Sequence, residues 1–187
     1  MAPKLYRIIK FKQNCGSCGG SLIQFQEGLE SENALPFTIG KVLVSWDMKP
    51  DDTRGNHAHH ETEEIVVALS GGCTFDLDDG RGTSERVRLS ASPEDRDQKS
   101  EISIQHLDLR SPTSEKAALL LYPHVWRTFY DFEPGTVLLV VANIKYDEAD
   151  YIRDRNEFEQ FAKNWNGSLG GSSAQSAEAG RLRSEIR

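Results

Sequence analysis

The sequence is divided into short β-prone segments by recurrent turn signals. Runs rich in β-branched and aromatic residues, such as 37–46 and 117–122, alternate with clusters of Gly, Pro, Asp and Asn. Turn signals that recur every 8–12 residues or so (about one per strand) are typical of β-sandwiches and β-barrels. Residues 136–144 are the most apolar run and are predicted to form a central strand. The pattern therefore predicts an all-β fold with one main domain, residues 1–165.

A single helix is predicted at the end of this domain, over residues 154–165. Asp154 can cap its first turn, and Glu157 follows three residues later, as in a capping box. The large apolar residues of the segment recur at helical spacing and share one face. They are Phe158, Phe161 and Trp165. We expect this face to pack against the outside of the β-structure.

The composition argues against two classes of partner. The 187 residues carry a formal net charge of −7, whereas nonspecific binding of nucleic acid requires a basic face. The sequence contains no apolar stretch of about 18 residues, so no membrane-spanning helix is expected. Residues 1–4 lack the apolar core of a signal peptide, and a cytoplasmic location is expected by default.

Three segments are predicted to contribute little to the core. Cys15 and Cys18 lie in a glycine-rich stretch without further zinc ligands at zinc-site spacing, which favours a simple turn over a redox or zinc site. Residues 90–101 are almost free of apolar side chains and are predicted to form an exposed excursion. Residues 166–187 are rich in Gly, Ser and charge and are predicted to form a disordered tail.

Two histidines stand just before the apolar run 65–69. His57 and His59 point to the same side of an extended chain, and Glu63 shares their parity if the strand continues in register. Imidazoles and a carboxylate on one concave face can perform acid–base catalysis or hold a metal ion. A pair of purely structural histidines is a third interpretation.

Two sequence blocks carry a resemblance to a known family. Residues 54–59, Arg-Gly-Asn-His-Ala-His, and residues 146–153, Tyr-Asp-Glu-Ala-Asp-Tyr-Ile-Arg, resemble the nucleotide-sugar 3,4-ketoisomerases, WxcM-like members of the cupin superfamily. The resemblance extends over roughly residues 19–163. Shorter blocks stand in the same order, at residues 20–22, 36–39, 77–80, 125–126, and 131–132.

The resemblance implies a cupin jelly-roll barrel that assembles as a homodimer. It also implies an isomerase without a cofactor. Such an enzyme moves the keto group of dTDP-4-keto-6-deoxyglucose, or a similar nucleotide-linked sugar, from carbon 4 to carbon 3 through an enediol. His57 and His59 would carry the proton transfers, because imidazole titrates near neutrality. Four further residues are expected to orient an imidazole or bind the substrate. They are Arg54, Glu63, Trp126 and Arg127.

The chain departs from the family pattern at several positions. Gly19 stands where the family has Arg, Leu43 and Val44 stand where it has tyrosines, and Arg127 stands where it has His. Two alternatives are therefore kept: a noncatalytic cupin that binds a nucleotide sugar or another small molecule, and a metal-dependent cupin enzyme. Because Arg127 occupies the place of a second-half metal ligand, the sequence predicts no tightly bound transition metal.

Overall fold

The computed structural model describes residues 4–15, 21–27, 33–91, 105–106, 115–167 and 169. Cys18, Gly19, most of the predicted excursion and most of the predicted tail lie outside these ranges. The predictions made for them, including the boundary between domain and tail, therefore stay predictions.

Most of the described chain is extended, in short strands that agree with the segmented pattern of the sequence. In chain order the strands are β1 (Tyr6–Cys15), β2 (Ser21–Ile23), β3 (Gln26–Glu27), β4 (Ala34–Leu35), β5 (Lys41–Ser45), β6 (Arg54–His59), β7 (Glu64–Ser70), β8 (Gly72–Asp78), β9 (Ser84–Ser90), β10 (Gln105–His106), β11 (Glu115–Leu121), β12 (Trp126–Tyr130), β13 (Val137–Ala142) and β14 (Tyr151–Ile152).

The strands form two six-stranded sheets that pack face to face. The first sheet has the order β2-β1-β11-β7-β13-β5, and the second has the order β10-β9-β8-β12-β6-β14. Apolar residues of both sheets share one buried cluster between them. It includes Val66, Leu119 and Leu138 from the first sheet and Phe75, Leu77, Val87 and Leu89 from the second. The all-β prediction is confirmed, and β13 lies between β7 and β5 as the prediction of a central strand requires.

Strand β7 is buried on both faces, which explains its continuous apolar sequence. Val66 and Ala68 belong to the core between the sheets. Ile65 and Val67 face the other way and pack in a second cluster, together with Phe11 of β1. Glu64, the first residue of β7, has the parity of Val66 and therefore points toward the space between the sheets.

The predicted helix is present as α1 (Arg155–Asn164). The Asp154 carboxylate accepts a hydrogen bond of 2.9 Å from the backbone N–H of Glu157, as an N-cap does. The helix packs on the outer face of the second sheet through Phe158 and Ala162. Their partners are Ala58, Trp126 and Ile152. Among the residues described here, no helix is long and apolar enough to cross a membrane, and the cytoplasmic location stays a prediction.

Candidate active site

A β-bulge in β6 sets the position of His57. Gly55 and Asn56 have φ values of 81° and 54°, and the pairing with β12 shifts there, from His57 opposite Arg127 to Gly55 opposite Thr128. A Cβ on Gly55 would lie 2.6 Å from the carbonyl oxygen of Arg127, so the position requires glycine. His57 Nδ1 lies 2.9 Å from the Gly55 carbonyl oxygen. Because a carbonyl only accepts, Nδ1 carries the proton and Nε2 keeps its lone pair.

The imidazoles of His57 and His59 and the ring of Tyr151 form a compact cluster. The centroids of the two imidazoles are 4.8 Å apart. Tyr151 of β14 pairs with His59 of β6, and its ring lies 4.3 Å from His59 and 5.1 Å from His57. The structure thus brings the two histidines to one face, as their spacing predicts, and adds a phenol beside them.

A buried carboxylate holds His59 in place. Asp150 accepts a hydrogen bond of 2.8 Å from His59 Nδ1, one of 2.7 Å from the backbone N–H of Glu61, and one from the Thr62 hydroxyl. Burial by itself raises the pKa of Asp150, but these hydrogen bonds outweigh it and hold the pKa well below its ordinary value. Asp150 therefore stays ionised, fixes the Nδ1–H tautomer of His59 and leaves Nε2 as the reactive nitrogen.

A buried ion pair forms the floor of the site. Arg127 is 1% exposed and donates from Nη1 to Glu64 Oε2 at 3.2 Å and from Nη2 to the Tyr122 carbonyl oxygen at 2.8 Å. The other carboxylate oxygen of Glu64 lies 3.7 Å from His59 Nε2. Since β7 and β12 belong to different sheets, this pair joins the two sheets directly beneath the imidazoles.

Two buried polar atoms of the site, His59 Nε2 and Arg127 Nε, have no hydrogen-bond partner among the described residues. Buried polar atoms are nearly always hydrogen-bonded in folded proteins, so these two are available to a bound molecule. One is a lone pair that can accept a proton, and the other is a cationic N–H that can stabilise an oxyanion.

Both imidazoles are neutral near pH 7. Burial lowers the pKa of His57 to about 4, and the positive charge of Arg127 acts in the same direction. Burial also lowers the pKa of His59, although the hydrogen bond to Asp150 opposes that shift. Two uncharged bases that face one small region can remove and return protons on neighbouring atoms of a ligand.

Glu64, and not Glu63, is the glutamate beside the histidines, so the prediction for Glu63 was wrong about its position. The prediction assumed that β6 continues in register, whereas the chain turns after His59 and crosses to the other sheet. Burial raises the pKa of Glu63, and the charge of Arg7 opposes that shift.

The described residues contain no group of three or more His, Cys, Asp or Glu side chains that could hold a metal ion.

The structure also separates Arg54 and Trp126 from the histidine cluster. Arg54 is exposed at the start of β6 and forms an ion pair of 3.1 Å with Asp52. Trp126 points to the opposite face of β12 from Arg127, and its ring lies 5.4 Å from that of Phe158 on α1. There Trp126 lines a separate groove of about 670 Å³ on the outer face of the second sheet. Trp126, which was expected to orient an imidazole or bind the substrate, therefore lies away from the histidine cavity, because successive residues of a strand face opposite sides.

Three residues of the site were not predicted from the sequence. Asp150 and Tyr151 belong to the block 146–153, whose resemblance to the ketoisomerases was the available signal. Glu64 lies two residues before Val66 in the apolar strand and therefore shares its face. The sequence prediction instead extended the alternation forward from His59, which led to Glu63.

Comparisons with known proteins show the family to which the chain belongs. The family model described as FdtA, WxcM-like, C-terminal, matches residues 3–95 and 96–163. A TDP-4-oxo-6-deoxy-alpha-D-glucose-3,4-oxoisomerase from Aneurinibacillus thermoaerophilus is 32% identical over 155 residues, which cover 83% of this chain and 91% of that protein.

Solved structures of similar proteins share the fold. A 3,4-ketoisomerase from Helicobacter canadensis superposes with a TM-score of 0.63 at 30% identity, covering 85% of this chain and 98% of the other. A second match is a His-to-Asn mutant of a 3,4-ketoisomerase from Thermoanaerobacterium thermosaccharolyticum, in complex with TDP-4-keto-6-deoxyglucose. It superposes with a TM-score of 0.64 at 26% identity, covering 87% of this chain and 98% of the other. These matches confirm the predicted cupin-type fold class.

Proposed function

The chain belongs to the FdtA, WxcM-like family, and from that membership we propose that it is a nucleotide-sugar isomerase that converts TDP-4-keto-6-deoxyglucose to its 3-keto isomer. One observation supports this activity most directly. The pair His57 and His59 presents two neutral imidazoles 4.8 Å apart, beside a buried guanidinium with an unpartnered N–H. The imidazoles can act as bases and the guanidinium can stabilise an oxyanion, which are the two functions needed to enolise an α-hydroxy ketone.

The proposed reaction exchanges protons between neighbouring carbons. One imidazole takes the proton from carbon 3, and the electron pair moves to the carbonyl oxygen on carbon 4 to form an enediolate. A proton is then returned to carbon 4, while the proton of the oxygen on carbon 3 passes to the oxygen on carbon 4. No net proton is gained or lost, so the two imidazoles of His57 and His59 suffice as carriers.

Arg127 is proposed to stabilise the enediolate. Its side chain is fully buried, and Arg127 is the cross-strand neighbour of His57. Its Nε–H, which has no partner in the described part of the chain, would therefore lie near the region where we propose that the oxyanion forms. Charge stabilisation by a fixed donor is strong in such a water-poor site. Glu64 accepts from Nη1 and orients the guanidinium.

The activity is tested by incubating the protein with TDP-4-keto-6-deoxyglucose and following the carbonyl carbon by NMR. The expected result is loss of the carbon-4 ketone signal and growth of a carbon-3 ketone signal. If the substrate stays unchanged when protein and substrate are present in equal amounts, the proposed activity is rejected. Unchanged substrate together with saturable TDP binding would identify a noncatalytic binding protein.

The lowered histidine pKa values predict a broad pH profile. A general base works in its neutral form, and His57, with a pKa of about 4, stays neutral well below pH 6. The ratio kcat/KM is therefore expected to change by only about twofold between pH 7.5 and pH 5.5. An imidazole with an ordinary pKa of ~6.5 would lose about tenfold over the same range. Circular dichroism at pH 5.5 controls for unfolding, and a tenfold decline in folded protein would contradict the assignment.

We also propose that the protein is a homodimer. The first sheet ends at β5, an edge strand whose outward side chains are apolar and largely exposed: Val42 is 55% exposed and Val44 46%. Trp46, just beyond the strand, is 62% exposed. Open apolar edges favour pairing with another chain. Light scattering at micromolar concentration is expected to give a molar mass twice the chain mass of 21.0 kDa. In the Val44→Lys variant, the measured mass is expected to fall toward that of a single chain.

A further inference from the structure

Lys41 at the start of β5 faces the histidine site from the other sheet. In the first sheet, Ala142 of β13 lies between Lys41 and Glu64, opposite each of them in register. Cross-strand neighbours share a face of a sheet, so Lys41 points to the same side as Glu64. Since Glu64 contacts His59 and Arg127, the Lys41 side chain points into the space that holds the candidate active site.

The ammonium group of Lys41 is buried and has no hydrogen-bond partner among the described residues. The buried carboxylates of the site are already engaged, Glu64 by Arg127 and Asp150 by His59. A buried charge without a hydrogen-bonding partner is costly, and buried charges are usually paired, so this ammonium group is available to a bound anion.

The position of this ammonium group indicates which part of the substrate it would meet. Lys41 Nζ lies 5.7 Å from the centroid of the Tyr151 ring, which is itself 4.3 Å from the His59 ring. The ammonium group is thus no more than about 10 Å from His59, within the reach of one nucleotide sugar. Arg127, directly opposite His57, already serves the reacting carbons. The ammonium group of Lys41 instead lies over the Tyr151 ring, from where it can meet a part of the ligand other than the reacting carbons.

We propose that Lys41 binds the phosphoryl group attached to the sugar, which is the β-phosphate of TDP. This inference rests on the proposed function, because it takes the ligand to be a nucleotide diphosphate sugar. The diphosphate is attached at carbon 1, across the sugar ring from carbon 4. An ammonium group over Tyr151, at most about 10 Å from His59, can reach it while the imidazoles act at carbons 3 and 4. A compact ammonium ion is a common ligand of phosphate oxygens.

The test compares TDP with TMP, which lacks the β-phosphate, by titration calorimetry. For Lys41→Met, the Kd for TDP is expected to rise about 10- to 100-fold, the usual loss for a charge-assisted hydrogen bond, while the Kd for TMP stays unchanged. Lys41→Arg is expected to retain most of the TDP affinity because the charge remains. Lys163→Met, an exposed lysine on α1, is the matched control and should not change either Kd.

Binding of TMP reports that Lys41→Met is folded, so loss of affinity for both ligands would overturn the assignment, as would retention of affinity for both. The measurement needs no turnover. A protein that fails to isomerise the sugar but loses TDP affinity selectively in Lys41→Met would reject the proposed activity and support the phosphate site. If the protein isomerises the sugar but Lys41→Met binds TDP normally, the proposed activity is supported and the phosphate site is rejected.

Discussion

Replacement of His57 or His59 by asparagine is expected to lower kcat by at least about 100-fold, because positioned proton transfer typically contributes ~100- to 10,000-fold to rate. Asparagine keeps a polar side chain of similar reach but cannot accept and return a proton. Binding of TDP should change much less than kcat, since the proposed mechanism places both imidazoles at the reacting carbons and not at the diphosphate. Steady-state kinetics with TDP-4-keto-6-deoxyglucose and calorimetry with TDP measure the two effects separately.

His60→Asn is the matched control for these variants. The His60 ring lies 5.1 Å from the ring of Phe161 on α1, on the opposite side of β6 from His57 and His59. Its replacement is expected to leave kcat unchanged. Near-normal turnover in both His57→Asn and His59→Asn would eliminate the two-imidazole mechanism, whatever the result for His60.

Removal of Arg127 is expected to damage both stability and activity. Arg127→Met leaves the buried Glu64 without its guanidinium, and breaking one side of a buried ion pair costs about 3–5 kcal/mol of unfolding free energy. The same variant removes the proposed oxyanion donor, for which a loss of about 100- to 1,000-fold in kcat is typical. Denaturant unfolding and kinetics on the fraction that remains folded measure the two quantities.

The double variant Arg127→Met with Glu64→Gln separates the two effects. Neutralising Glu64 removes the unpaired charge, so most of the lost unfolding free energy should return. The activity should not return, because the guanidinium is still absent. Recovery of kcat together with stability would show that Arg127 acts only by holding the sheets together, and would remove it from the proposed mechanism.

Local pattern alone predicted several parts of this protein. The turn signals and β-branched runs predicted the all-β fold, and the apolar residues 136–144 predicted a central strand because a strand buried on both faces needs apolar side chains at every position. The capping residue Asp154 and the helical spacing of Phe158, Phe161 and Trp165 predicted α1. The two-residue spacing of His57 and His59 predicted their shared face. Each of these properties depends on residues close together in the chain, within one strand or one helix.

The partners of those histidines were decided by tertiary structure. Asp150 is 91 positions away from His59, and it reaches Nδ1 only because β14 pairs with β6. Glu64 replaces Glu63 because the chain crosses between sheets after β6, and parity is not carried across a crossover. Lys41 meets the same site only through the register of β5, β13 and β7. Spacing along one strand determines which side chains share a face, but the pairing of distant strands determines what that face meets, and no local pattern records that pairing.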